Sequence, residues 1–123
     1  MVRRTKRVPK IWGNEWIMVN NAKFCGKILE VMAGYICSYH CHSIKQETFS
    51  VLSGNGIIKV NGESFIVEEG DTIDIEPGMW HSFATTKGMK LLEISTHHED
   101  SDVTRRTESH RLVGEELEDM NDL

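Results

Sequence analysis

The sequence predicts an all-β fold, either a sandwich or a barrel. Short stretches rich in β-branched and aromatic residues recur through the middle of the chain, and turn signals separate them. No segment before residue 100 has a convincing helical period, and the chain has no internal repeat or heptad pattern. A chain of 123 residues is long enough to bury one core of its own.

Nine strands follow from this pattern. The strongest turn signal is Asn61-Gly62 between GIIKV and ESFIV, because both residues tolerate the positive φ of a two-residue hairpin turn. Further reversals are expected at residues 53–56, 69–71 and 76–78, which are rich in glycine, asparagine and proline. The predicted strands are residues 16–20, 25–32, 35–40, 47–53, 56–60, 63–67, 72–75, 81–85 and 90–95.

Both ends of the chain differ from its middle. We expect a basic N-terminal arm at residues 1–10, the β-domain at residues 11–98 and an acidic tail at residues 99–123. Residues 111–120 are a candidate helix with Leu112 and Leu117 on one side, and tail disorder is the alternative. The basic run has no interleaved aromatic residues and the net charge is −5, so a solvated terminus is favoured over a nucleic-acid partner.

The composition is that of an ordinary globular protein. Hydrophobic residues make up 39% and charged residues 27%, which excludes collagenous and disordered classes. No apolar run approaches the ~20 residues of a membrane-spanning helix, so no membrane partner is expected. Three cysteines are too few for a disulfide framework, and the basic start lacks the apolar segment of a secretory signal. These features favour a reducing, cytoplasmic setting.

Residues 34–54 are the most informative segment, reading G-YICSY-H-C-H-SIKQ-E-TFSVLS-G. His40 and His42 are two positions apart, so on a strand their side chains point to the same side. Glu47 follows on the return strand of a hairpin, and His81 is available as a third imidazole. Three neutral imidazoles and one carboxylate suit a divalent first-row transition metal and leave room for water or a substrate oxygen.

This segment resembles the first motif of the cupin superfamily, G-x5-H-x-H-x4-E-x6-G, at every specified position. The second motif, G-x5-P-x-G-x2-H-x3-N, is matched by Gly70, Gly78 and His81, whereas Glu76 replaces the proline and Thr85 the asparagine. The resemblance implies a double-stranded β-helix, or jelly-roll barrel, with one divalent manganese, iron, cobalt, nickel or zinc ion. The alternative is a metal-free cupin that keeps these side chains for hydrogen bonding. The implied metal ligands are His40, His42, Glu47 and His81.

Two flanking stretches resemble the cupin domains of type II phosphomannose isomerases. Residues 10–15, KIWGNE, are similar to their K/R-P-W-G-x-E opening, and residues 93–105, EISTHHEDSDVTR, to their E-x-x-x-G-x-x-x-x-E-D-D-I-x-R close. Residues 40–47 also match the H-x-H-x-x-K-x-E pattern of lyxose-type sugar isomerases. In those enzymes the lysine and a glutamate from a late strand are thought to handle the moving proton.

Lys45 and Glu93 are therefore the catalytic candidates. Lys45 lies two positions before Glu47, which puts both on one face if the strand begins that early; a solvated turn lysine is the alternative. Glu93 interrupts the apolar run LLEIS, where a buried carboxylate is costly unless it is paired or coordinated. The alternative is that this face of the strand is exposed.

The resemblance implies a mannose-6-phosphate isomerase-like enzyme that converts an aldose to a ketose, as sugar or sugar phosphate, through a cis-enediolate. A metal would polarise the sugar carbonyl, and Glu93 or Lys45 would move the proton. Arg105, Lys27 or Lys90 would anchor a phosphate. Trp12 is a further candidate for lining the pocket, and a homodimer is expected from the family.

The cupin fold alone does not specify an activity, so two alternatives stay open. The first is a dioxygenase that acts on a small enediol or diketone with iron or nickel in the same site. The second is a non-catalytic sugar-binding module.

Overall fold

The computed structural model describes residues 1–120 of the chain. These residues form twelve strands and one short helix. The strands are β1 (Lys6–Lys10), β2 (Gly13–Asn20), β3 (Cys25–Val31), β4 (Tyr35–Ile36), β5 (His40–Cys41), β6 (Glu47–Val60), β7 (Glu63–Glu68), β8 (Thr72–Ile75), β9 (His81–Thr85), β10 (Met89–Ser95), β11 (Thr104–Arg105) and β12 (His110–Arg111), and the helix is α1 (Gly114–Met120).

The strands form one curled antiparallel sheet in the order β1-β2-β3-β10-β6-β9-β4-β12. Strands β7 and β8 also pair with β6, and β5 lies between β9 and β11. The first half of β6 pairs with β10 and β8, and its second half pairs with β7 and β9, so this strand joins the two sides of the barrel. The all-β jelly-roll prediction is confirmed.

The inward side chains change from apolar to polar along the barrel. On β10, Leu91 is fully buried and lies opposite Leu29 of β3 and Val51 of β6. Two positions further along the same strand, Glu93 is also buried and lies opposite Lys27 of β3. Because alternate residues of a strand share a face, the apolar core and a polar interior occupy successive levels of the same barrel.

The chain reversal predicted at residues 53–56 is wrong, because β6 continues through these residues. The strand runs on through Gly54, which has a φ of 78° and lies opposite Met89 of β10. The pairing register of β6 and β10 shifts nearby, between Lys90 and Leu91. A Cβ at position 54 would collide with the carbonyl oxygen of Gly88, so the glycine permits a close approach of two backbones rather than a turn. The Asn61-Gly62 turn is present as predicted, with φ values of 47° and 83°.

The two ends of the chain are more ordered than expected. Residues 6–10 form the edge strand β1 rather than a free arm, and their basic side chains stay exposed. Residues 104–105 and 110–111 add strands to β5 and β4, so the helix begins at Gly114 instead of residue 111. Leu112 and Met120 pack with Ala84 of the barrel. Across residues 1–120, no helix has the length and apolarity that a membrane span requires.

Candidate metal centre

Three histidines come together at the polar level of the barrel. His40 of β5 lies opposite His81 of β9, and His42 follows β5 directly. The ligating atoms of these three side chains all lie within 4.8 Å of one another. The predicted set of imidazoles therefore converges, and it could hold a metal ion.

Backbone carbonyls fix the tautomer of each imidazole. The Nδ1 atom of His40 lies 2.8 Å from the carbonyl oxygen of Ser38, and that of His81 lies 2.9 Å from the carbonyl of Met79. The Nδ1 atom of His42 lies 2.6 Å from the carbonyl oxygen of Asp102. A carbonyl oxygen only accepts, so each ring donates its Nδ1–H and presents an unprotonated Nε2.

Glu47 faces two of these Nε2 atoms. Its Oε2 lies 3.2 Å from Nε2 of His42 and 3.3 Å from Nε2 of His81. Within the described residues, Glu47 Oε2 and His81 Nε2 are both buried without a hydrogen-bond partner. Lone pairs facing each other in a buried site are unfavourable unless a cation lies between them. This donor set fits a divalent transition metal.

The ionisation states also match those of metal ligands. Burial and the nearby imidazole of His81 lower the pKa of His40 to about 3, which keeps its ring neutral. Burial acts to raise the pKa of Glu47, but the net shift is downward, and the charge of Lys45 is one of its causes. Neutral imidazoles and an ionised carboxylate are the forms that bind a metal.

Lys45 and Glu93 are both buried beside the histidines. The Lys45 Nζ lies 3.3 Å from Glu93 Oε2 and 3.8 Å from Glu47 Oε1. Lys45 is thus not a solvated turn residue, and Glu93 does not face solvent. Burial raises the pKa of Glu93, while the charge of Lys45 opposes that shift.

A second buried ion pair extends the polar interior. Lys27 is fully buried, and its Nζ lies 3.1 Å from Glu15 Oε1. Carboxylates of Glu93 and Glu15 hold the pKa of Lys27 above its usual value, although burial acts in the opposite direction. Charges of alternating sign therefore run through the interior toward the histidines. Their order is Glu15, Lys27, Glu93, Lys45 and Glu47.

These side chains line a cavity of about 500 Å³. Trp12, Lys27 and Arg105, the predicted substrate-binding residues, all line it. Trp12 is buried edge-on against Phe83, with ring centroids 5.2 Å apart, and Arg105 is exposed. Lys90 is not among the lining residues: it pairs with Glu30 at 3.8 Å, so its predicted contact with a phosphate in this cavity is wrong.

His98 and Asp102 are the site residues that sequence reasoning missed. His98 Nδ1 lies 3.1 Å from Lys45 Nζ, and its Nε2 lies 2.9 Å from Asp100 Oδ1. Burial, followed by the charges of Lys45 and Lys27, lowers the pKa of His98. Both residues belong to the HHEDSD stretch after the last barrel strand, whose density of histidine and carboxylate was the available signal.

Comparison with known proteins gives one family. The model described as "Cupin domain" matches residues 27–95. A mannose-1-phosphate guanylyltransferase of Klebsiella pneumoniae is 27% identical over 96 residues, which is 76% of this chain and 20% of that protein. The chain therefore spans about a fifth of the length of this curated relative.

Solved structures share the fold. KdgF from Halomonas sp. matches with a TM-score of 0.66 and 15% identity, over 72% of this chain and 81% of KdgF. Pac13, a nucleoside dehydratase, matches with a TM-score of 0.70 and 16% identity, over 91% of this chain and 89% of Pac13. A Streptomyces Pac13 structure with uridine matches with a TM-score of 0.71 and 15% identity, over 94% and 91% of the two chains. At identities this low, the similarity shows a shared fold and nothing more.

Proposed function

Because this chain belongs to the cupin domain family, we propose that it is a metal-dependent aldose–ketose isomerase acting on a sugar or sugar phosphate. The observation that carries the proposal is the buried pair of Lys45 and Glu93, 3.3 Å apart beside three converging imidazoles. A structural metal site needs no acid–base pair next to it. A proton transfer beside a polarised carbonyl does.

His40, His42, Glu47 and His81 would hold one divalent ion. When bound there, manganese, iron, cobalt, nickel or zinc supplies Lewis-acid polarisation of the substrate carbonyl. The Nδ1–H bonds to Ser38, Asp102 and Met79 orient the three rings for this purpose.

Glu93 is the proposed general base. Its carboxylate takes the proton from the carbon next to the carbonyl, giving a cis-enediolate, and returns it to the other carbon. The hydroxyl proton on the second oxygen passes to the former carbonyl oxygen in the same conversion. Burial raises the pKa of Glu93, which makes the carboxylate a stronger base, and the ammonium of Lys45 keeps it ionised. Lys45 also donates a hydrogen bond to the substrate oxygen on which negative charge develops.

The cavity suits a substrate of sugar size. Its volume of about 500 Å³ lies within the usual range for small-molecule sites. Trp12 forms an apolar wall, and the Lys27–Glu15 pair offers polar contacts to hydroxyl groups. Arg105 is exposed at the cavity and forms no ion pair with the side chains that the structure describes, so it is the candidate anchor for a phosphate. The similarity to a mannose-1-phosphate guanylyltransferase supports a sugar phosphate as ligand. A homodimer remains a prediction.

The test is isomerisation in heavy water without oxygen. Protein loaded with manganese, cobalt or zinc is incubated anaerobically with a panel of aldoses, ketoses and their phosphates in D₂O. We expect an aldose–ketose pair to interconvert and to gain deuterium at the carbon that receives the proton. Oxygen consumption by the aerobic sample, without exchange, would instead indicate a dioxygenase. Tight sugar binding without exchange would indicate a binding module.

A further inference from the structure

A segment after the last long strand of the barrel pairs with β5, the strand that carries His40 and leads into His42. We call residues 102–111 the strap. Within it, Arg105 of β11 lies opposite His40 of β5. The backbone N–H of Tyr39 donates to Thr107 Oγ1 at 2.8 Å, and that of Ser38 donates to Ser109 Oγ at 3.0 Å. The strap thus satisfies the free edge of the strand that leads into the metal centre.

Asp102, the first residue of the strap, contacts both the His42 ring and the loop that follows it. Its carbonyl oxygen accepts the Nδ1–H of His42 at 2.6 Å. Its carboxylate accepts the backbone N–H groups of Ser43 at 2.8 Å, Ile44 at 3.3 Å and Lys45 at 3.0 Å. Four donors therefore converge on one residue, and three of them belong to the loop between His42 and Glu47.

We propose that Asp102 is a positioning residue that couples the strap to metal binding. Its main chain sets the tautomer and direction of His42, while its side chain fixes the loop that leads to Lys45 and Glu47. The inference rests on the metal centre of the proposed function, but not on isomerase activity. Since coupling between two equilibria is reciprocal, a bound metal stabilises the strap as the strap stabilises the metal site.

Metal affinity tests the side-chain contacts. Affinities for manganese and zinc are measured by calorimetry for the wild-type chain and for Asp102→Ala, Asp102→Asn and Asp71→Ala. Asp71 is the matched control, since its carboxylate also accepts a backbone N–H, from Glu68 at 2.8 Å, in a turn outside the set of cavity-lining residues.

We expect Asp102→Ala to bind metal about 10–100-fold more weakly, the usual range for groups that position metal ligands. The carbonyl that accepts from His42 is kept, but the loop that leads to Glu47 loses its three hydrogen bonds to the carboxylate. Asp102→Asn keeps one acceptor oxygen and should fall between it and the wild type, and Asp71→Ala should match the wild type. The melting temperature of each metal-free variant separates positioning from general stability. Wild-type affinity in Asp102→Ala, or an equal loss in Asp71→Ala, would overturn the proposal.

Proteolysis of the wild-type chain tests the coupling without any substitution. Arg105 and Arg106 are exposed trypsin sites in the strap, and Lys23 is an exposed site in the turn between β2 and β3. We expect manganese or zinc to slow cleavage after both arginines several-fold and to leave cleavage after Lys23 unchanged. Equal rates with and without metal would overturn the coupling. A chain that binds metal and shows these effects but isomerises nothing would contradict the proposed activity alone.

Discussion

Lys27 and Glu93 lie directly opposite each other on β3 and β10, so a buried cation faces a buried carboxylate across two paired strands. Each has a second partner of opposite charge: Glu15 contacts Lys27, and Lys45 contacts Glu93. Removing one member of such a set leaves a buried charge without its opposite charge, and this destabilises a fold more than replacing the whole pair does.

Lys27→Met should therefore destabilise the fold by about 3–5 kcal/mol, as expected for a broken buried pair. Urea unfolding of metal-free protein measures the change in the free energy of unfolding. Lys90→Met is the matched control, because Lys90 contacts Glu30 at 3.8 Å with half of its side chain exposed, and such pairs contribute at most about 1 kcal/mol. Similar losses in the two variants would contradict the assigned role of burial.

Lys45→Met and His42→Ala should separate catalysis from metal binding. Lys45→Met keeps all four proposed ligands, so metal content should stay near one ion while turnover falls about 10²–10⁴-fold. His42→Ala removes a ligand and should lose metal and turnover together. Elemental analysis and the deuterium assay measure the two quantities. Equal metal loss in both variants would show that Lys45 supports the site rather than the reaction.

Metal should stabilise the folded chain, because a cation satisfies the facing lone pairs of Glu47 and His81. At a free metal concentration of 100 times Kd, the expected gain is about 2.7 kcal/mol, visible as a rise in Tm that EDTA reverses. Glu47→Gln replaces the charged ligand with a neutral one of the same shape and should abolish most of the rise. A wild-type Tm that does not respond to manganese, cobalt, nickel or zinc would contradict the metal centre.

The C-terminal helix should pack less firmly at alkaline pH. The carbonyl of Glu108 and the carboxylate of Glu116, 3.0 Å from Nε2 of His110, raise the pKa of His110 above its usual value of 6.5. A raised pKa in the folded state gives stability that is present below about pH 6.5 and lost as the pH rises through the folded value. Because both side chains are partly exposed, the effect should stay below about 1 kcal/mol.

Urea unfolding of the wild type and His110→Gln at pH 6 and pH 8.5 measures this effect. The stability difference between the two chains should be larger at pH 6. A difference that grows at pH 8.5 would contradict the assigned sign.

Much of the site could be predicted from the sequence because side-chain chemistry carries it. Strand alternation placed His40 and His42 on one side, and a charged residue inside an apolar run identified Glu93. The bond between His42 and Asp102 was out of reach, since it uses a backbone carbonyl that any residue possesses. Lys90 was wrongly predicted to contact a phosphate, because a positive charge in the sequence does not show whether the side chain faces the cavity or the outside of the barrel.

The same division applies to the fold. The bounds of β8 and β9 were predicted correctly, since turn residues flank them on both sides. Strand β1 was missed because an edge strand can be basic and exposed on both faces. The run Ser53–Gly54 looked like a reversal because glycine is equally suited to a turn and to a close contact between backbones, and only the neighbouring Gly88 distinguishes the two.

Because β6 is long, the side to which Glu47 points depends on the pairing register of the whole strand. From Glu47 to Ser50, this strand is paired on both sides, with β10 and with β8. A slip by one residue would turn Glu47 to the outer surface and bring Gln46 or Thr48 to the histidines instead. A single-residue deletion near Phe49 would thus remove the carboxylate from the centre without changing any of the four ligand residues. Spacing along this strand is consequently as decisive for the chemistry as the identity of the side chains.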